Sequence, residues 1–207
     1  MKYLKMLGLA AIAAAALTAL VGVGSASAVT LCEENVTTGC LTHVNLGKTI
    51  TFTAESSVKL AGPFGITLDT CTESEVSGKT TSTGDDTTNG FVTGNVETLT
   101  FGKCTRSTTV GAGGTLSIAG NGTGGNGSVT SSGATVTIHE LPNIVGNPST
   151  CAYTTEKTAL GTLTASATAA TFDIAATITS ETANCPTGTW SGSYVSTGPT
   201  IIRHLSH

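Results

Sequence analysis

The feature that most constrains this chain is an alternation of apolar and hydroxyl-bearing side chains with a period of two residues. Ile50, Phe52 and Ala54, for example, alternate with threonines. Successive side chains of a β-strand point to opposite faces of the sheet, so this pattern predicts strands with one apolar and one wet face. Threonine suits such strands because its branched β-carbon favours the extended backbone and its hydroxyl tolerates water. The other segments with this pattern are residues 66–69, 98–101, 115–118, 135–139, 171–178 and 190–194.

The spacing of these segments predicts an all-β protein. Turn signals such as Gly62-Pro63 and Asn89-Gly90 separate about nine to eleven strands. We expect a disulfide-stapled antiparallel β-sandwich, immunoglobulin-like or with Greek-key links. Residues 159–164 are interpreted as a strand, and the glycine-rich residues 111–133 as a hairpin. No Pro-rich or charged linker divides the chain, so residues 29–207 are expected to form a single domain.

Composition excludes one class of partner. Charged residues make up 11% of the chain and the formal net charge is −4. Nucleic-acid binders need an excess of Lys and Arg to contact phosphates, so no nucleic-acid partner is expected. The chain is also too rich in Thr, Val and Ile for an intrinsically disordered protein.

Residues 1–28 have the three parts of a secretory signal peptide. Lys2 and Lys5 precede an apolar run that ends near Val23, and Ala26 and Ala28 fit the small-residue rule for cleavage before Val29. The alternative is an uncleaved membrane anchor, since about 18 apolar residues are borderline for spanning a bilayer. We expect cleavage, secretion to the extracellular space, and no membrane association afterwards.

The six cysteines all follow this segment, at positions 32, 40, 71, 104, 151 and 185. An even number of cysteines in an exported chain predicts three disulfides, although six cysteines allow 15 connectivities. We favour pairing of neighbours: Cys32–Cys40, Cys71–Cys104 and Cys151–Cys185. Cys71 and Cys104 are both out of phase with the apolar positions before them. Either both strands carry a bulge before the cysteine or both cysteines lie on the other face, and this shared offset favours their pairing.

Several segments resemble a group of small secreted proteins of high-GC Gram-positive bacteria that are rich in Thr, Gly and paired Cys. The segments are Cys71-Thr72-Glu73-Ser74 with Gly78, Gly94 to Cys104, Cys151-Ala152-Tyr153-Thr154, and Cys185-Pro186 with Gly192-Ser193-Tyr194. The similarity covers most of the chain after residue 28. Its motifs are framework residues, so the resemblance implies a fold framework and no activity.

No set of residues in the sequence specifies a chemistry. His139-Glu140 is the only adjacent acid–base pair, and it lacks a third group nearby in sequence. His43, His204 and His207 have poor spacing for a metal site. The acidic segment beginning at Asp85-Asp86 lacks the glutamate that closes an EF-hand loop. The sequence therefore predicts no catalytic residue, no metal ligand and no cofactor.

Three classes of function remain open. The first is a secreted, non-catalytic module with a structural or partner-binding role, the partner being unknown. The second is a carrier of a small apolar ligand, which needs a pocket lined by aromatic residues. The candidates for that lining are Phe64, Phe91, Tyr153, Trp190 and Tyr194. The third is an extracellular hydrolase or an enzyme inhibitor; catalysis would need convergent titratable groups, of which this chain offers few.

Overall fold

The structure, a computed structural model, describes residues 29–32, 44–82, 91–120, 126–142, 148–165, 169–196 and 201–204. The predicted signal peptide, residues 1–28, lies outside them. The described residues are all-β, as predicted, and their only helical element is the short 3-10 turn Pro63–Gly65. None of the helical structure among them has the length and apolar character needed to cross a membrane. The strands are β1 Val29–Cys32, β2 Thr49–Ala54, β3 Val58–Ala61, β4 Thr67–Thr80, β5 Phe91–Cys104, β6 Thr108–Ala112, β7 Thr115–Gly120, β8 Asn126–Ser132, β9 Thr135–Pro142, β10 Pro148–Thr154, β11 Thr158–Ala165, β12 Ala170–Ser180, β13 Gly188–Ser196 and β14 Ile201–His204.

The main sheet closes into a barrel with eight strand positions. The order around the ring is β2/β3, β4, β5, β7, β8, β11, β12 and β13, with every pair antiparallel. β2 and β3 share one position, since both lie between β4 and β13. Closure occurs where Val195 pairs with Thr53 and Trp190 with Leu60. The ring order follows the chain order, so this is an up-and-down barrel.

The barrel replaces the sandwich that the sequence analysis expected. A sandwich would leave two facing sheets with open edges, whereas β13 here returns to the first strands of the sheet and removes those edges. The alternation in sequence fixes which face each side chain occupies. It does not fix which strand lies beside which, so sandwich and barrel share the same pattern.

Three strands form a second sheet, which we call the capping sheet: β6, β9 and β10. It joins the barrel where Tyr153 of β10 pairs with Ser180 at the end of β12. Its apolar residues pack with Leu60 and Leu68 in a cluster of their own. The capping sheet therefore covers the end of the barrel at which β3 ends and β4 begins. β1 and β14 pair with each other and contact the barrel near its opposite end.

Strand β12 shows why this sequence makes a barrel wall. Phe172, Ile174 and Ala176 are buried inside, whereas Asp173 and Ala175 between them are exposed. Burial of one such apolar side chain contributes roughly 1.5–3 kcal/mol, less for alanine. Gly161 of β11 allows β11 and β12 to approach each other closely, because a Cβ at this position would lie 1.9 Å from the backbone oxygen of Asp173.

Two predicted disulfides are confirmed: Cys71–Cys104 and Cys151–Cys185. Cys32 is also disulfide-bonded, while its predicted partner Cys40 lies outside the described residues. Cys71 and Cys104 sit opposite each other on β4 and β5.

The out-of-phase positions of these two cysteines come from irregularities in both strands. In β4, the pairing with β3 shifts register between Asp69 and Thr67, before Cys71, which is buried in the barrel core. In β5, Lys103 adopts a left-handed backbone conformation, with φ 51°, directly before Cys104. The first of the two sequence-based alternatives therefore describes the structure better.

Candidate functional site

An apolar cavity of about 100 Å³ lies in the barrel beneath the capping sheet. Seven of the eight strand positions contribute to its wall, and the capping sheet contributes Val136, Ile138 and Tyr153. The barrel side chains that line it are Val76, Val96, Leu99, Phe101, Leu116, Ser131, Leu160, Phe172, Ile174, Ala176, Ile178, Trp190 and Tyr194. An eight-stranded barrel is just wide enough either to be filled by side chains or to hold one small ligand. This barrel is incompletely filled at that end.

Aromatic rings form one side of the cavity. Phe101 and Trp190 meet edge to face, with ring centroids 4.6 Å apart, and Phe172 lies 6.3 Å from Tyr194. Tyr153, Trp190 and Tyr194 were predicted lining residues, and all three line the cavity. Phe101 and Phe172 also line it, although the sequence analysis named them only as strand residues. Their place in the alternation was the signal that put them on the inner face.

Phe64 and Phe91, the other two predicted lining residues, lie elsewhere. Phe64 is fully exposed in the 3-10 turn between β3 and β4, and Phe91 is 42% exposed at the start of β5. Phe64 lies in a turn and Phe91 at the end of a strand, where the alternation no longer determines the direction of a side chain.

Tyr194 is the most deeply buried polar side chain of the cavity wall, 1% exposed. Its hydroxyl lies 2.9 Å from Ser74 Oγ, which in turn donates to the carbonyl oxygen of Thr100 at 2.9 Å. Because Ser74 has one hydroxyl hydrogen, Tyr194 must donate to Ser74. Burial raises the pKa of Tyr194, while its hydrogen bonds with Ser74 and Trp190 oppose that rise. The phenol is therefore neutral and has its hydrogen-bond partners within the wall.

Tyr153 has a similar arrangement. Its hydroxyl donates to the carbonyl oxygen of Pro186 at 3.0 Å, and burial raises its pKa to about 12. The wall also contains Ser131, whose hydroxyl lies 2.9 Å from that of Thr155. The polar groups around the cavity are thus paired with protein atoms, and the surface facing the cavity is almost entirely apolar.

A second, smaller cavity of about 70 Å³ lies further along the barrel interior. Leu31 of β1 and Ile50, Phe52 and Val92 of the barrel line it, so it sits at the end away from the capping sheet. Val76, Val96 and Leu116 line both cavities.

A buried carboxylate forms hydrogen bonds with the segment that connects the barrel to the capping sheet. Asp69 is 2% exposed and lies at the start of β4. One of its oxygens accepts hydrogen bonds from the backbone N–H groups of Thr70 and Arg106 and from the Thr105 hydroxyl, and the other accepts from the Thr108 hydroxyl at 2.8 Å. A carboxylate with this many donors holds the segment between β5 and β6 in place.

Sequence reasoning did not single out Asp69, because its partners Thr105, Arg106 and Thr108 lie 36 to 39 residues away. Asp69 also lies near the sulfurs of Cys71 and Cys104, with one possible ligand atom from each residue within 4.8 Å. Both sulfurs belong to the disulfide, so neither is a thiolate, and the thiolate is the form that binds metal.

Among the described residues, the candidate pair His139-Glu140 does not line the cavity. His139 is half-buried in the capping sheet, with Nδ1 3.3 Å from the Thr150 hydroxyl, and Glu140 is exposed. His43, His207, Asp85 and Asp86 lie outside the described residues.

The chain was compared with protein-family models, curated proteins and solved structures, and nothing in any of the three sets matches it.

Proposed function

We propose that this protein is an extracellular, non-catalytic binding protein that holds a small apolar ligand inside its barrel. The observation that carries this proposal is the apolar cavity beneath the capping sheet. It favours the carrier among the three functions considered, because a module that only displays loops has no need of an unfilled interior. Export is expected from residues 1–28, and the disulfides fit an oxidising compartment.

The size of the cavity restricts the ligand. An engineered cavity of about 150 Å³ lined by Leu, Ile and Phe side chains stays dry and binds benzene or xenon. A cavity of about 100 Å³ with a similar lining suits a molecule of about four carbon atoms, or one end of a longer molecule.

The polarity of the wall restricts it further. Tyr194, Tyr153 and Ser131 already hydrogen-bond to protein atoms. A ligand hydroxyl or amide in the cavity would leave its own hydrogen bonds unmade, at a cost of about 1–3 kcal/mol. The part of the ligand inside the barrel is therefore a hydrocarbon.

The same wall argues against catalysis in the cavity. Its titratable side chains among the described residues are Tyr153 and Tyr194, whose raised pKa values keep both phenols neutral. General acid–base catalysis at neutral pH needs a group that titrates near that pH.

A second role, contact with a partner, is favoured by one observation. The turn Pro63–Gly65 presents Phe64 fully exposed at φ 61°, with Ile66 62% exposed beside it. A positive φ is unfavourable for a bulky residue, so the turn holds this ring in solvent at a cost. We keep partner binding as the alternative function.

Filling the cavity tests the proposal. Ala176 is buried and lines the cavity, and its neighbour Ala175 is exposed on the outer face of the same strand. We expect the unaltered protein to bind n-butane, measured by headspace gas chromatography, and Ala176→Leu to abolish binding because the added carbons occupy the space. Ala175→Leu is the matched control and should bind as the unaltered protein does.

Thermal unfolding provides a second measurement. Filling an empty cavity commonly stabilises a protein by about 0.5–2 kcal/mol, so Ala176→Leu should melt higher in the absence of ligand. Absence of butane binding by the unaltered protein, or undiminished binding by Ala176→Leu, would contradict the proposed function.

A further inference from the structure

The two cavities share one partition. Val76, Val96 and Leu116 line both of them, and these residues belong to β4, β5 and β7, three neighbouring strands of the barrel. Val96 pairs with Gly78 and Leu116 with Gly94, and both glycines line the smaller cavity. The partition therefore consists of aliphatic side chains from one wall of the barrel, and the glycines paired with two of them lie against the backbone of the neighbouring strand.

The cavities together follow the length of the barrel. On β5 the lining runs from Val92 in the smaller cavity to Phe101 in the larger one. Nine residues of strand span about 30 Å. With the strand tilt of about 35–45° that is usual in barrels, about 21–25 Å of this lies along the axis, which is the extent of the lining residues and not the length of the empty space. A compact ligand can fill one cavity only, whereas a linear ligand can enter both.

From this geometry we infer that the ligand is an unbranched hydrocarbon chain that lies along the barrel axis and occupies both cavities, passing the side chains of Val76, Val96 and Leu116. This inference rests on the proposed function and adds the shape of the ligand to it. In proportion to the benzene-binding cavity, the two spaces hold about four and about three carbon atoms. The barrel interior then takes a chain of about seven carbons.

The test is the dissociation constant of each n-alkane from butane to nonane, measured by headspace gas chromatography on the disulfide-bonded protein. If the chain enters both cavities, each added methylene should tighten binding about fourfold as far as heptane. Heptane should then bind about sixtyfold more tightly than butane. Octane and nonane should gain nothing more, because the space is full.

Two variants act on the partition in opposite directions. Val96→Phe blocks it, so the advantage of heptane over butane should fall below about fourfold. Leu116→Ala widens the partition. The advantage of heptane over butane should therefore increase, and octane should gain affinity as well. If Val96→Phe does not fold, Leu116→Ala decides alone, and an unchanged heptane-to-butane ratio in it overturns the inference.

The matched control is Leu163→Ala. Leu163 belongs to the same buried cluster but lines neither cavity, so its truncation should leave the dependence on chain length unchanged. The outcomes separate the two claims. If no alkane binds, the proposed function fails. If butane binds, but the affinity stops rising at about four carbons and Leu116→Ala does not change this limit, the inference that the ligand occupies both cavities fails and the proposed function stands.

Discussion

Tyr153 makes stability depend on pH in the alkaline range. Its phenol ionises near pH 10 in the unfolded chain and near pH 12 in the folded protein. As the pH rises past 10, the unfolded state loses this proton first. The free energy of unfolding should therefore be unaffected by this group below pH 10 and should fall by about 1.4 kcal/mol per pH unit between 10 and 12.

Urea unfolding at several pH values between 8 and 11.5 measures this slope, which Tyr153→Phe should flatten. The pKa of Tyr194 is also raised, so it acts in the same direction. The chain from residue 29 onward contains only these two tyrosines. Phenolate absorption with a midpoint near pH 10, while the protein is still folded, would contradict the expectation.

Residue-level predictions succeeded where they depended on local pattern. The pairings Cys71–Cys104 and Cys151–Cys185 followed from the even number of cysteines, from the pairing of neighbours and, for the first pair, from a shared phase offset. The hydrogen bond between Ser74 and Tyr194 joins residues 120 positions apart and left no such trace. Contacts of that kind arise from strand order, which a period of two does not encode.

At the scale of elements, Asp69 holds the β5–β6 connection that leads into the capping sheet. We expect Asp69→Ala to lower the free energy of unfolding by about 2–4 kcal/mol, because it leaves several partly buried donors, such as the Arg106 N–H, without an acceptor. Asp69→Asn should cost less, since an amide oxygen can still accept at one of the two positions. Urea unfolding measures both effects.

Asp173→Ala is the control, because Asp173 is an exposed aspartate on the outer face of β12. Its effect should lie within about 0.5 kcal/mol of zero. An equally small effect of Asp69→Ala would mean that the hydrogen bonds of Asp69 do not hold the connection in place.

Strand positions were predictable, and strand irregularities were not. The alternation located β2, β7 and β12 well, and residues 111–133 contain the predicted hairpin of β7 and β8. The 14-residue strands β4 and β5 were recognised only in part. Their register shift at Ser77–Gly78 breaks the strict period of two. Such irregularities allow long strands to bend around a barrel. A search for regular alternation therefore recognises only parts of the long strands that a closed barrel needs.

For the whole molecule, the disulfides are expected to supply much of the stability. Each of the two described bridges closes a loop of 33 or 34 residues, worth about 3.7 kcal/mol in the chain-entropy model. The net stability of a domain is only about 5–15 kcal/mol. An interior with unfilled cavities contributes less packing energy to this net stability. Reduction of the disulfides should therefore unfold the protein or lower its Tm by tens of degrees.

Circular dichroism with and without reductant tests this, after alkylation has shown that all thiols are free. The paired variants C71A/C104A and C151A/C185A separate the two bridges. Similar loop lengths predict similar losses of stability, and C151A/C185A should in addition weaken butane binding because that bridge ties the capping sheet to the segment after β12. An unchanged Tm after complete reduction would show that packing alone stabilises the barrel.

The pairing of β1 with β14 has a consequence for how the protein can be attached to anything else. Residue 29 lies opposite residue 204, and residue 32 opposite residue 201. A chain attached at residue 29 and one attached at residue 204 would therefore begin at the same place, at the end of the barrel away from the capping sheet. A tether to a cell wall, a reporter fusion or a surface coupling at either end would therefore present the protein in one orientation, with the capping sheet outward. A short peptide joining the two ends would likewise allow circular permutants in which the order of strands around the ring is unchanged.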